Sequence, residues 1–238
     1  MIRRLGVIIP AHNEEDDILG CLESLQRSHS YAVERGINCR FRVVVVADAC
    51  TDATASIVED FAARLRNVFV LATSFQSVGR ARDFGWRHFM RTEESTTGEH
   101  SDSAWVWVAF TDADSRVPEH WITTHLELAA RGVDCLVGTV APRPETATAD
   151  LVATWHANHE LLENHPYIFG ANMGLRASAL EAIGGVPPLE CGEDEAIVDA
   201  VLREGGRIRR TDDCRVLTSA RLSGRVRGGF SSYLRQLT

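Results

Sequence analysis

Short runs of β-branched and aromatic residues alternate with amphipathic stretches through the first two thirds of the chain, the pattern of parallel strands joined by crossover helices. The apolar runs predict strands near 5–9, 41–47, 67–72, 105–111 and 133–140. The stretches between them predict helices over 14–28, 53–66, 78–91 and 118–131. Val43, Val44, Val45, Val46 and Ala47 follow one another without a polar interruption, as in a strand covered on both faces, so this strand is expected at the centre of the sheet. The polar stretch 92–103 has neither period and is expected as an exposed loop. Beyond residue 142 the alternation loosens into a helix-like stretch (149–164), a Gly-rich turn, shorter helices over 176–183 and 193–204, and weaker strands near 207–210 and 215–218. The expected fold class is α/β, a mostly parallel central sheet flanked by helices, with a C-terminal lobe folded onto it.

Composition narrows the picture. A chain of 238 residues, 45% of them hydrophobic, suits one substantial core, and a single domain over 1–238 is expected. Lys plus Arg number 25 against 33 Asp plus Glu, a net charge of −8, which argues against nucleic acid or an anionic membrane surface as the main partner. The N-terminal apolar run is about five residues, too short for a signal peptide. No segment reaches the roughly 18 apolar residues of a membrane-spanning helix. Cysteines 21, 39, 50, 135, 191 and 214 form no CxxC pair, so neither a zinc site nor a disulfide framework is indicated and a cytoplasmic location is expected.

In open α/β sheets ligands bind beyond the carboxyl ends of the strands. Here those ends are polar: Pro10-Ala11-His12-Asn13-Glu14 after the first strand, Asp48-Ala49-Cys50-Thr51-Asp52 after the second, and Thr111-Asp112-Ala113-Asp114-Ser115 after the fourth. For Asp52 and for Asp16 or Asp17, a helix N-cap is the expected role. Asp112 and Asp114 are different, because two carboxylates one residue apart repel unless a cation or donors lie between them. Carboxylates with vacant sites for phosphate suit Mg²⁺ or Mn²⁺. Neither GxxxxGK(S/T) nor a GxGxxG after the first strand is present, so a bound diphosphate needs a metal and arginines in place of a glycine cradle. Arg80 and Arg82 open the third helix on the same rim and are candidates for that contact, with a solvated helix face as the alternative.

Six segments in register resemble the family 2 glycosyltransferases, whose nucleotide-sugar-binding fold is called GT-A. They are Val7–Glu15, Val46–Thr54, Gly79–Gly85, the DXD triplet Asp112-Ala113-Asp114, Gly170–Arg176 running on to Gly184-Gly185, and Gly192-Glu193-Asp194-Glu195. The resemblance implies that Pro10, Ala11, His12 and Glu14 line the nucleoside pocket and that Asp48 reads the base. It also implies that Asp112 sits near the ribose and metal, that Asp114 is the direct metal ligand, and that Asp194 is the general base acting on the acceptor hydroxyl. Residues 1–115 then form the nucleotide-side half and 116–238 the acceptor-side half. The implied activity is transfer of one sugar, of hexosyltransferase type, from a nucleotide-diphosphate donor with inversion, assisted by Mn²⁺ or Mg²⁺.

Some positions depart from the family pattern. Ala47 stands where an aspartate is common, leaving Asp48 alone to read the base; Asp83 stands where Asn is usual; and the Gln-x-x-Arg-Trp motif of processive synthases is absent. Glu193 and the tail arginines Arg221, Arg225 and Arg227 are candidate diphosphate or acceptor contacts. His156, His159 and His165 lack a cysteine or HExxH partner, so no zinc site is indicated, and lining of the acceptor cleft is a role ranked only somewhat above it. A nucleotidyltransferase, or a silent nucleotide-sugar-binding protein, is the competing function.

Overall fold

The computed structural model describes residues 1–97, 102–221, 234 and 235. Its first half alternates β1 (Arg4–Ala11), α1 (Ile18–Glu34), β2 (Arg40–Asp48), α2 (Thr54–Ala62), β3 (Val68–Thr73), α3 (Val78–Thr97) and β4 (Val106–Phe110). Then follow β5 (Ser115–Arg116), α4 (Trp121–Ala130), β6 (Cys135–Pro142), α5 (Ala149–Asn158), β7 (Met173–Arg176), α6 (Ala177–Ala182), α7 (Glu193–Arg203) and β8 (Ile208–Thr218).

The eight strands form one sheet in the order β3-β2-β1-β4-β7-β6-β8-β5. The β3-β2-β1-β4 block is parallel, β7 runs antiparallel between β4 and β6, β8 is parallel to β6, and β5 closes the far edge antiparallel to β8. The sheet is therefore mostly parallel, as expected. From β1 the chain crosses outward to β2 and β3 and later returns to β4 on the other side, so the strand order reverses between β1 and β4. That switch point is where a doubly wound sheet opens a crevice.

Residues alternate between the two faces of each strand. Leu5, Val7 and Ile9 of β1 join Ile18, Leu22 and Leu25 of α1 and Trp121 and Ile122 of α4 in one buried layer. Ile8, with Val44 and Val46 of β2, faces Trp86 and Phe89 of α3 and Ile197 and Val198 of α7 in the other. The valine run of β2 is buried on both faces, as its lack of polar interruption predicts, but β2 lies second from one edge of the sheet and not at its centre, because helices cover both faces there too. Close approach of α3 needs two glycines: a Cβ on Gly6 would stand 2.6 Å from the Phe89 ring, and one on Gly85 would stand 2.5 Å from Ile8 Cγ2.

Several boundaries differ from expectation. α1 starts at Ile18, because the carbonyl of Glu14 accepts from the amides of Asp17 and Ile18 and spends residues 14–17 on the turn into the helix. α3 continues through 92–97, so that part of the expected loop is helical; residues 98–101 lie outside the described residues. α5 ends at Asn158, earlier than expected. The two weak strands near the C-terminus are one strand, β8, and β5 and β7 were not expected at all.

Candidate active site at the switch point

The ends of β1, β2 and β4 meet on one rim because their registers align, with Ala11 beside Ala47 and Ile8 beside Phe110. Among the described residues, three of the four non-glycine residues with positive φ lie here: Asn13 (56°), Ala49 (52°) and Gln76 (52°). Such strain persists only where surrounding bonds over-determine it. The bonds are present. Asn13 Oδ1 accepts from the Thr51 amide at 2.7 Å, the Glu15 amide donates to Asp52 at 3.1 Å, and the Ala53 amide donates to Glu15 at 2.9 Å. Asp52 also accepts from the Thr54 amide at 3.0 Å, but it is not the expected N-cap: α2 begins at Thr54, so the N-cap is Ala53, one residue on.

Asp17 does not cap its helix through its side chain; it belongs to an acidic hub instead. Asp17 Oδ1 accepts from Arg143 at 2.6 Å and from Arg116 at 3.2 Å. Beside it the Arg221 guanidinium makes a two-pronged pair with Glu14, one bond 2.6 Å long, and stands 3.1 Å from Asp114 Oδ2. Asp114 Oδ1 accepts from the Thr218 hydroxyl at 3.2 Å. Burial, and next the neighbouring Asp112 carboxylate, push Asp114 up to about 7, with Arg221 pulling the other way. Arg225 and Arg227 lie outside the described residues.

On the opposite wall, Arg82 is 3% exposed and joins the two halves of the site. Its Nη2 donates to Asp112 Oδ1 at 2.6 Å, and its Nη1 pairs with Glu193 Oε1. Burial raises Glu193 above the usual carboxylate range, while Arg82 opposes the shift. Asp194 lies next along the first turn of α7, where three consecutive acids suit the helix dipole. Its Oδ2 accepts from the Gly170 amide at 2.8 Å and its Oδ1 from the Glu195 amide at 3.0 Å, which orients the carboxylate. A Cβ on Gly170 would collide with Arg82, so that position keeps the guanidinium seated.

Asp48 is buried, and its carboxylate is occupied by the protein itself. Oδ1 accepts from the Phe75 amide at 2.5 Å and the Thr73 hydroxyl at 3.0 Å, and Oδ2 accepts from the Ser77 amide at 3.1 Å. The loop between β3 and α3 is thus tied to the residue expected to read a base. His12 Nδ1 lies 2.7 Å from the Asp48 carbonyl oxygen. Arg80, expected on the rim, is exposed outside the cavity and sits over the Phe75 ring at 4.7 Å, because it falls on the opposite side of α3 from Arg82. Of the three histidines, His159 lines the cavity, His165 is buried behind it and His156 is exposed. Asn172, within a family-like block, is a structural anchor: it accepts from Trp121 Nε1 at 2.8 Å and donates to the carbonyls of Thr139 and Cys214.

These groups surround a cavity of about 980 Å³. Its lining brings together Pro10, Ala11, His12, Glu14, Asp48, Arg82, Asp112, Asp114, Glu193, Asp194 and Arg221, leaving out Arg80 among the described candidates. With Glu190 and Glu195, the lining holds eight carboxylates against the two guanidiniums of Arg82 and Arg221. Among the described residues no cluster of three His, Cys, Asp or Glu side chains is arranged to hold a metal ion by itself. An oxygen donor set of Asp112 and Asp114 that leaves other positions to a ligand is the type that suits a hard divalent cation. Sequence reasoning missed Asp17, Arg116 and Arg143, whose partners lie about a hundred residues away and leave no local signal.

The parallel block, the switch point and the acidic strand ends define an α/β fold of the GT-A glycosyltransferase type. The chain belongs to glycosyl transferase family 2, whose model matches residues 6–184. A mannosyltransferase from Pyrobaculum calidifontis, solved with GDP-Man and Mn²⁺, is similar with a TM-score of 0.66 at 20% identity, over 98% of this chain and 60% of that one. The chain therefore spans about three fifths of that protein's length. Glucosyl-3-phosphoglycerate synthase from Mycobacterium tuberculosis, solved with Mn²⁺, UDP and phosphoglyceric acid, is similar with a TM-score of 0.51 at 19% identity, over 88% of this chain and 68% of that one. A 4-diphosphocytidyl-2C-methyl-D-erythritol synthase is similar with a TM-score of 0.50 at 15% identity, over 100% and 99% of the two chains. No curated protein matches the sequence.

Proposed function

We propose that the protein transfers one glycosyl unit, of hexose type, from a nucleotide-diphosphate sugar to an acceptor hydroxyl with inversion. The observation that carries this reading is the charge of the cavity. Even with Asp114 and Glu193 shifted toward the protonated form, the carboxylates of the described lining outnumber its two paired arginines, so the donor binds best with a cation. Asp114 and Asp112 would hold it. When bound, Mn²⁺ or Mg²⁺ supplies Lewis-acid stabilisation of the leaving diphosphate. The Mn²⁺ complexes of similar glycosyltransferases support the same choice.

Asp194 accepts the proton of the acceptor hydroxyl while the oxygen attacks the anomeric carbon from the face opposite the diphosphate. The Gly170 and Glu195 amides hold its carboxylate in place for that transfer. Pro10, Ala11, His12 and Glu14 line the nucleoside side, and Arg82 keeps Asp112 and Glu193 in register. One displacement needs no covalent intermediate. Six free cysteines support residence in a reducing compartment, the cytoplasm. Among the described residues no helix is long and apolar enough to cross a membrane.

A thermal-shift panel of nucleotide diphosphates with and without Mn²⁺ tests the donor side, since ligand bound to the native state stabilises it. Stabilisation should require the metal, and Asp114→Ala should weaken that requirement more than Asp112→Ala. Equal shifts with and without chelator would remove the metal from the reaction, and NMR showing retention at the anomeric carbon would remove the single displacement. The likeness to a diphosphocytidyl synthase makes nucleotidyl transfer the second reading. Pyrophosphate released from a nucleoside triphosphate and a sugar phosphate would favour it.

A further inference from the structure

The acceptor side of the cavity has an aromatic wall that the reaction chemistry does not account for. Tyr167 and Phe169 are half-buried and line the cavity, their ring centroids 6.1 Å apart and their planes 30° from parallel. Phe169 directly precedes Gly170, whose amide orients Asp194, so the wall adjoins the expected base. Behind it, His159 lies 4.8 Å from Tyr167 and stacks at 3.7 Å on the fully buried Trp155.

The wall is held rigidly. The Tyr167 hydroxyl accepts from the Glu160 amide at 3.2 Å. Arg210 of β8 donates to the carbonyls of Pro166 and Tyr167 at 2.8 and 3.0 Å. A surface with this much support is preorganised, which is how binding sites gain affinity without an ordering cost.

Among the described residues, the charges near the wall disfavour an anionic guest. Glu190, Glu193, Asp194 and Glu195 line this side, and Arg82 is already shared between Glu193 and Asp112. The second lining guanidinium, Arg221, is committed to Glu14 and Asp114 across the site. A phosphate or carboxylate brought to Asp194 would therefore meet like charge without a free cation among the described lining residues. A neutral sugar ring suits both features: its C–H face lies on an aromatic ring, and its hydroxyls donate to carboxylates.

Building on the glycosyl-transfer reading, we infer that the acceptor is an uncharged pyranoside, bound with its ring face on Tyr167 and Phe169 and one hydroxyl directed to Asp194. Saturation-transfer NMR tests this on the full chain with diamagnetic Mg²⁺ and nucleotide diphosphate. The probes are methyl glucoside, methyl galactoside, methyl mannoside, glycerol and glycerate 3-phosphate. At least one methyl pyranoside should receive saturation, strongest at its ring C–H protons, while glycerate 3-phosphate receives none.

Tyr167→Ala and Phe169→Ala should weaken that binding about tenfold, and Tyr167→Phe, which keeps the ring, should retain it. Saturation of glycerate 3-phosphate alone, or of no pyranoside, overturns the inference, as does undiminished binding in both alanine variants. The thermal shift by nucleotide diphosphate with Mn²⁺ separates the two readings. If it is present while pyranosides fail, only the acceptor assignment falls; if it is absent, the transfer reading falls too.

Discussion

Arg221 Nη2 stands 3.1 Å from Asp114 Oδ2 while the same guanidinium grips Glu14, so a side chain supplies positive charge at the carboxylate assigned to the metal. A cation arriving at Asp114 has to compete with it. Arg221→Gln should therefore bind Mn²⁺ about tenfold more tightly in the absence of nucleotide, a difference of about 1.4 kcal/mol. Titration calorimetry of the two proteins measures it, and equal affinities would show that Arg221 is no competitor.

Asp114 gives the site a pH dependence of defined sign. Burial and then Asp112 raise it from the ordinary 3.8 to about 7, so the native state holds this proton more tightly than the unfolded chain does. Stability from this group is complete below about pH 4 and is lost as the pH climbs to about 7. Melting curves should show Asp114→Asn flattening that part of the decline. Mn²⁺ affinity of the parent protein should rise over the upper part of the same window, because the metal takes the carboxylate and releases the proton.

Asp194 and Glu193 are neighbours with opposite expected phenotypes. Asp194→Asn should lower turnover by about 10²-fold or more with donor affinity little changed, the usual worth of a positioned base. Glu193→Gln removes one partner of a nearly buried ion pair and should destabilise the fold by about 1–3 kcal/mol. Kinetics at saturating donor, with a urea melt of each variant, separate the two. Normal turnover in Asp194→Asn would send the search for the base to Glu193 or Glu195.

Asp48→Ala should loosen the loop it holds as well as weaken nucleotide discrimination. Three donors from Thr73, Phe75 and Ser77 lose their acceptor together. Amide exchange at Phe75 and Ser77 should accelerate, by a factor of about 10 for a bond worth about 1.5 kcal/mol. Unchanged protection would mean that the loop is held by other contacts.

Gly6→Ala tests the fold alone. The added methyl meets the Phe89 ring and should cost about 1–3 kcal/mol in a urea melt. A variant as stable as the parent would show that Phe89 has room to yield.

The parallel half of the sheet was legible because each strand carries its own signal: β2 is a valine run, and β4 is apolar throughout. β7 was not, since Met173-Gly174-Leu175-Arg176 is short and lacks a β-branched residue; neighbours already in place make it a strand. β8 read as two pieces because Asp212 and Asp213 interrupt its period; Asp212 is accommodated through Arg215 and Thr139, and Asp213 is exposed. Residues 92–97 have no apolar stripe, so their helical continuation of α3 left no periodicity to read. At the site, the acidic strand ends showed in the chain, but the choice between Arg80 and Arg82 depended on which side of α3 faces the sheet. The arginine partners of Asp17 are a tertiary fact.

Arg82 has one more consequence. Its guanidinium spans Asp112 and Glu193, the carboxylates proposed for the donor and acceptor sides, so what happens to either alters the electrostatics felt by the other. If donor and acceptor bind on these two sides as proposed, their binding is linked through a single side chain, and reciprocity then requires each to change the other's affinity by the same factor. The sign of that heterotropic coupling records whether Arg82 is released toward Glu193 or drawn away from it when the donor arrives.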